Sequence, residues 1–131
     1  MKKSKKIKRL LFVGLMLCSS AIFAEEWLTY FESDKFYFYL APNSTQRAGD
    51  NIITHTIHDF KTPSERGERS RQITREYDCA HAQSRVLKMV TYSKEKAAGQ
   101  IIRDEAETEA WTAIPPNSAV AALGNIVCKT K

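Results

Sequence analysis

The sequence predicts an α+β domain: an antiparallel sheet of about six strands, one C-terminal helix packed on a face of that sheet, and one disulfide. Three observations carry this reading. Short apolar segments alternate with polar turns along most of the chain, which is strand patterning. A single helix-favouring run follows the Pro115-Pro116 pair. Two cysteines, Cys79 and Cys128, remain once an N-terminal leader is set aside.

The leader comes first. Lys2, Lys3, Lys5, Lys6, Lys8 and Arg9 precede an apolar run over residues 10–17, and Ser19, Ser20, Ala21 and Ala24 follow it. A basic block, an apolar stretch and small residues at the exit form a secretory signal peptide. The run is shorter than the ~20 residues a spanning helix requires, so the membrane enters only as an export route. Cleavage after Ala24 is the reading adopted. Ala21 is the alternative, because Ser19 suits the position three residues upstream better than Ile22 does. Leu17 is too large to precede a lipidated cysteine, so Cys18 leaves with the leader and there is no lipobox. The domain layout is therefore a cleaved signal peptide over 1–24 and one domain over 25–131. The product is expected to be exported: periplasmic or secreted, or displayed on the cell surface.

Charge takes on a different meaning once the leader is removed. Six of the 20 basic residues lie in it and none of the 15 acidic ones, so residues 25–131 carry 14 bases against 15 acids, a net charge of −1. The high isoelectric point belongs to the leader, and nucleic-acid binding, which needs a basic face on the folded domain, is not expected. A chain of 107 residues buries roughly two-thirds of its unfolded surface. A core of that size benefits from a cross-link. An even cysteine count in an exported chain reads as a disulfide, here Cys79–Cys128. The rival is a metal site using Cys79 and His81, which would lack two further ligands.

The elements follow in order. Residues 27–31 read as a first strand and 36–40 as a second, with aromatics on both faces. Pro42-Asn43-Ser44 and Gly49-Asp50 bracket a loop. Residues 51–60 form the clearest long strand, with Ile53, His55 and Ile57 on one face and Ile52, Thr54, Thr56 and His58 on the other. His55 and His58 would be neighbours on a helix and placed to hold a metal there; on a strand they point apart, so no metal site is assigned. Residues 61–71 read as a polar loop, which Gly67 makes flexible. Its bases, Lys61, Arg66, Arg69 and Arg71, form a candidate protein-binding loop, although the interleaved Glu65 and Glu68 also suit a merely solvated hairpin tip.

A fourth strand runs over 72–78 into Cys79, and a fifth over 85–92. The fifth should place Val86, Val90 and Tyr92 on one face and Leu87 and Met89 on the other. Residues 94–98 read as a loop, 99–104 as a sixth strand, and 111–114 as a short extended piece stopped by the two prolines. Asn117 or Ser118 is the expected helix N-cap. Residues 119–123 favour helix, with Gly124 either ending it or lying within it. A short apolar helix cross-linked to a strand must lie against the sheet.

No catalytic constellation is found. There is no Gly-x-Ser-x-Gly elbow and no phosphate-cradling glycine loop, and the thiols are committed to the disulfide. An enzyme is not expected, nor is a cofactor.

The series Tyr77-Asp78-Cys79, Arg85-Val86-Leu87, Tyr92, Gly99, Trp111, Ile114, Pro116, Ser118 and Cys128 resembles the surface-adhesin protein E family of Gram-negative bacteria. The resemblance spans about residues 27–128. It implies an antiparallel sheet of about six strands, a helix across one face, and a disulfide tying the helix end to the sheet. It also implies export and adhesion through host extracellular proteins such as laminin, vitronectin or plasminogen, with homodimers formed through sheet edges. Two departures stand out. Asn117 occupies a position usually held by glycine before the serine, and asparagine tolerates the left-handed conformation better than most residues. The missing lipobox leaves the resemblance without a surface anchor. The readings that follow are a small adhesin-like domain binding a host extracellular matrix protein, or a soluble periplasmic domain binding an envelope protein. For the first, the loop bases and any exposed aromatics among Tyr30, Phe31, Tyr37 and Tyr39 would supply the contact surface. A cavity lined by His55 or His58 would instead favour a hydrolase.

Overall fold

The computed structural model describes residues 26–129. The expected signal peptide and its cleavage site lie outside the described residues. The described chain forms β1 (Leu28–Glu32), β2 (Phe36–Leu40), a 3-10 turn (Pro42–Ser44), β3 (Gln46–Ala48), β4 (Asn51–Phe60), β5 (Ser70–Asp78), β6 (Gln83–Lys94), β7 (Ala98–Glu105), β8 (Thr112–Ala113) and α1 (Ala119–Val127). The strands make one antiparallel sheet in the order β1-β2-β4-β5-β6-β7. Two short pieces complete it: β3 pairs with the start of β4, and β8 with the start of β6.

Register divides the side chains between two faces. Phe36, Phe38 and Leu40 of β2 stand opposite Phe60, His58 and Thr56 of β4, and Ile52, Thr54, Thr56 and His58 stand opposite Tyr77, Arg75, Ile73 and Arg71 of β5. This face receives α1. Leu40, Ile52, Tyr77, Leu123 and Val127 form its buried cluster, with Tyr30, Ile114 and Val120 packed around them. Each such aliphatic side chain removed from water contributes roughly 1.5–3 kcal/mol. Tyr77 is fully buried, and its hydroxyl donates to the Val120 carbonyl oxygen at 2.8 Å. The helix is thereby fixed to β5 by a polar bond inside an apolar contact. The Cys79–Cys128 disulfide joins the end of β5 to the end of α1, across a Cα–Cα distance of 5.6 Å.

The helix starts as its sequence requires. Ser118 is the N-cap, its hydroxyl accepting from the Ala121 N–H at 3.1 Å. Asn117 takes the left-handed conformation at φ +54°, and the chain turns there without glycine. Gly124 lies inside the helix, which continues to Val127.

Four details differ from the sequence reading. Residues 46–48, read as loop, form β3, because the turn at Gly49-Asp50 folds them back onto β4. β5 begins at Ser70, two residues early, so Arg71 is a strand residue and the loop ends at Arg69. β6 extends to Lys94, leaving a tight turn over 95–97. A bulge between Thr74 and Arg75 of the β5–β6 ladder pairs Lys88 with Thr74 but Val86 with Arg75. The extra residue, Leu87, reverses the alternation. Val86 therefore joins Met89 on the helix-side face, not Val90 and Tyr92.

Candidate functional site

In an antiparallel sheet, alternate turns fall at the same end. The β1–β2 turn (33–35), the β4–β5 loop (61–69) and the β6–β7 turn (95–97) thus form one tip. Backbone bonds join them: the Lys61 N–H donates to the Lys35 carbonyl oxygen and the Arg69 N–H to that of Tyr92, both at 2.9 Å. Ser70 bridges the third turn, its hydroxyl donating to Lys94 O at 2.6 Å and accepting from the Ala97 N–H at 2.9 Å. Asp59, buried, accepts from the Lys96 N–H at 2.8 Å. Burial holds its carboxyl above the usual range, while that bond pulls the other way.

The loop is not the flexible arm that Gly67 suggested. The Ser64 N–H donates to Glu68 O, the Glu68 N–H to Ser64 Oγ, and the Gly67 N–H to Ser64 O, all within 3.1 Å. Gly67 supplies φ +79° to close this small ring.

The four expected bases separate. Lys61 binds the Glu32 carboxylate and lies 4.7 Å above the Tyr37 ring; the Glu32 bond raises its pKa. Arg69 pairs with Glu95 at 3.3 Å. Arg66 is exposed at the loop crown and belongs to none of the ion pairs among the described residues. Arg71 is on the other side of the sheet. Strand alternation turns it to the helix side, where its guanidinium stacks 4.6 Å from the Phe36 ring.

The aromatic candidates divide in the same way. Tyr30 packs into the core and Phe31 against Phe38, ring centroids 5.5 Å apart. Tyr37 and Tyr39 stand on the face that α1 leaves uncovered, stacked at 6.4 Å and 29°. Lys96 sits 3.1 Å over the Tyr39 ring. Two lysines thus cap two parallel rings, each held by cation–π attraction of roughly 0.5–1 kcal/mol. Lys96 was not a sequence candidate. Its placement depends on the turn in which it takes φ +58°, and no local pattern marks that. The result is an aromatic patch of mixed charge over Tyr37, Tyr39, Lys61 and Lys96, with Glu32 and Glu95 paired to Lys61 and Arg69 and with Arg66 beside it. Tyrosine and arginine are enriched where proteins meet proteins.

His55 and His58 face opposite ways, as strand alternation requires. His58 lines a cavity, but both its ring nitrogens are engaged: Nδ1 accepts from Arg71 Nε–H at 3.3 Å and Nε2 donates to the Thr56 hydroxyl at 3.3 Å. Ser118, in the same cavity wall, spends its hydroxyl on the helix cap and on Pro115 O. Neither is arranged for nucleophilic chemistry. Among the described residues no group of three or more His, Cys, Asp or Glu side chains is placed to hold a metal, and no helix is long and apolar enough to cross a membrane.

The family model for surface-adhesin protein E matches residues 27–129. Solved structures of Haemophilus influenzae protein E share the fold. One crystal form aligns with a TM-score of 0.57 at 11% identity, over 80% of this chain and 93% of that one. A selenomethionine form gives 0.58 at 11%, over 77% and 91%. Protein E from a non-typeable strain gives 0.53 at 10%, over 80% and 85%. No curated protein matches the chain.

Proposed function

Because the chain belongs to the surface-adhesin protein E family, we propose that it is an exported, non-catalytic binding domain that attaches to a host extracellular protein through its charged, aromatic tip. The observation that carries this reading is the pair of stacked tyrosines, Tyr37 and Tyr39, each capped by a lysine. Rings held flat by neighbours lose little entropy on binding, which favours them as contact residues. Arg66, which belongs to none of the ion pairs among the described residues, extends the patch, and Arg69 and Lys61 reach it with Glu95 and Glu32 as their partners. Arg71 stacks on Phe36 and is left out of the contact surface.

The test is binding of the leaderless chain to immobilised host extracellular matrix proteins. A triple variant, Lys61→Ala/Arg66→Ala/Arg69→Ala, should weaken binding about tenfold or more, and Tyr37→Ala/Tyr39→Ala comparably. Salt should weaken the wild type further, since the charges are exposed. Binding that survives both variants unchanged would remove the tip from the account. Adhesion also requires display: protease added to intact cells should destroy the exported chain while a periplasmic control survives.

A further inference from the structure

Beneath the first turn of α1 the sheet borders a pocket of about 260 Å³ that is partly open to solvent. Its walls are of two kinds. Phe38, Ile73 and Leu123 supply apolar surface. Arg71 and Arg75, four residues apart on β5, present two guanidinium groups to the same space. No carboxylate lines it, and neither arginine takes part in a salt bridge among the described residues. Glu68 attracts Arg71 from outside the lining. Half-buried cations close to one another raise each other's energy, and here burial and Arg75 together lower the Arg71 pKa.

Both guanidinium groups are oriented by neutral partners. His58, only 7% exposed, accepts from Arg71 through Nδ1. Burial first, then the two arginines, push its pKa down to about 3, so it stays an acceptor at neutral pH. Arg75 Nη1–H donates to the Ser84 hydroxyl at 3.0 Å. These bonds fix the groups and leave further N–H donors on each. The start of α1, at Ser118 and Ala119, forms one wall of the pocket, and the positive end of the helix dipole adds to the local potential.

We propose that this cavity is a binding site for a small organic carboxylate, its charged group on Arg71 and Arg75 and its apolar body against Phe38, Ile73 and Leu123. The planar fork of a guanidinium matches a carboxylate, such charge-assisted bonds are the strong ones, and a second guanidinium adds positive potential. The apolar wall selects a ligand with a hydrocarbon part over a fully hydrated ion. The volume lies below the ~300–1,000 Å³ of sites for drug-sized ligands, so the occupant is small. The site is on the opposite face of the sheet from Tyr37 and Tyr39 and stands independently of adhesion.

Benzoate is the probe, titrated into the leaderless chain at constant ionic strength and followed by amide NMR. Saturable shifts are expected at residues 71–75 and 118–120, with inorganic phosphate binding about tenfold more weakly. Arg75→Met should raise the benzoate Kd about tenfold or more. Ala119→Leu, which fills the cavity and spares both arginines, should abolish binding while the spectrum stays that of a folded chain. Absence of saturable shifts, shifts elsewhere on the surface, or an unchanged Kd in the Ala119→Leu chain would overturn the site. Phosphate binding as tightly as benzoate would overturn its assignment to an organic anion.

Discussion

His58 shows how one residue's surroundings decide its chemistry. It lies three positions from His55 yet shares nothing with it, because β4 sends the two rings to opposite faces. Burial and two neighbouring arginines lower its pKa from 6.5 to about 3. Between those values the unfolded chain takes up a proton that the folded chain refuses. Stability is therefore intact above pH 6.5 and falls as pH drops toward 3, by up to ~1.4 kcal/mol per pH unit from this group. Urea unfolding at pH 7 and pH 5 should show a loss about 2 kcal/mol greater for the wild type than for His58→Gln. Glutamine keeps an acceptor for Arg71 and cannot be charged. Equal losses in the two proteins would mean that His58 titrates near its ordinary value. Neither the burial nor the arginines could be read from the sequence, which marked His58 as a strand residue that would matter only if it lined a cavity.

The contact of α1 with β5 is a closer fit than helix propensity alone would suggest. Glycine in a helix interior usually gives way to alanine with a gain of about 1 kcal/mol. At Gly124 an added Cβ would stand 3.1 Å from Cε1 of Tyr77 and 3.8 Å from Ile114. Tyr77 cannot yield: it is fully buried and its hydroxyl is tied to the helix at Val120. Overpacking costs roughly 1–3 kcal/mol, which exceeds the propensity gain. Gly124→Ala should therefore lower stability by about 1 kcal/mol, whereas alanine at the exposed neighbour Asn125 should leave it unchanged or slightly higher. Thermal melts of both variants check this. A stabilised Gly124→Ala chain would show that the Tyr77 contact has slack. The start of this helix was legible to within a residue: the prolines and a cap at Asn117 or Ser118 are local signals, and the structure chose Ser118. The Leu87 bulge was not, because an extra residue in one strand shows only against its partner.

For the molecule as a whole, the disulfide decides how far the helix can leave the sheet. Cys79 and Cys128 close a loop of 49 positions, and chain entropy assigns this up to ~4 kcal/mol. In a domain of this size each kcal/mol moves the melting temperature by roughly 4–8 °C. Cys128→Ser, or reduction of the wild type, should lower it by about 10 °C or more. An unchanged melt would mean that packing of Leu123 and Val127 on Tyr77 already suffices. The tip is the other feature of this scale. Its three turns are separated by some thirty residues of sequence each, and antiparallel order alone brings them side by side.

Sequence by itself determined the class of this protein. Period-two alternation marked the long strands, the run after Pro115-Pro116 marked the helix, and an even cysteine count in a chain with a leader marked the cross-link. These signals are local or are simple counts, so they survive without coordinates. Tertiary structure alone decided which side chains meet. Four bases grouped in one loop by sequence are divided by the sheet between its two faces, because the ladder claims residues from Ser70 onward and alternation turns Arg71 under the helix. Lys96 enters the tip from a turn far along the chain, and Arg71 and Arg75 share a cavity only because α1 closes over β5. Register, bulges and turn geometry set those meetings, and each is a relation between distant segments rather than a property of either one.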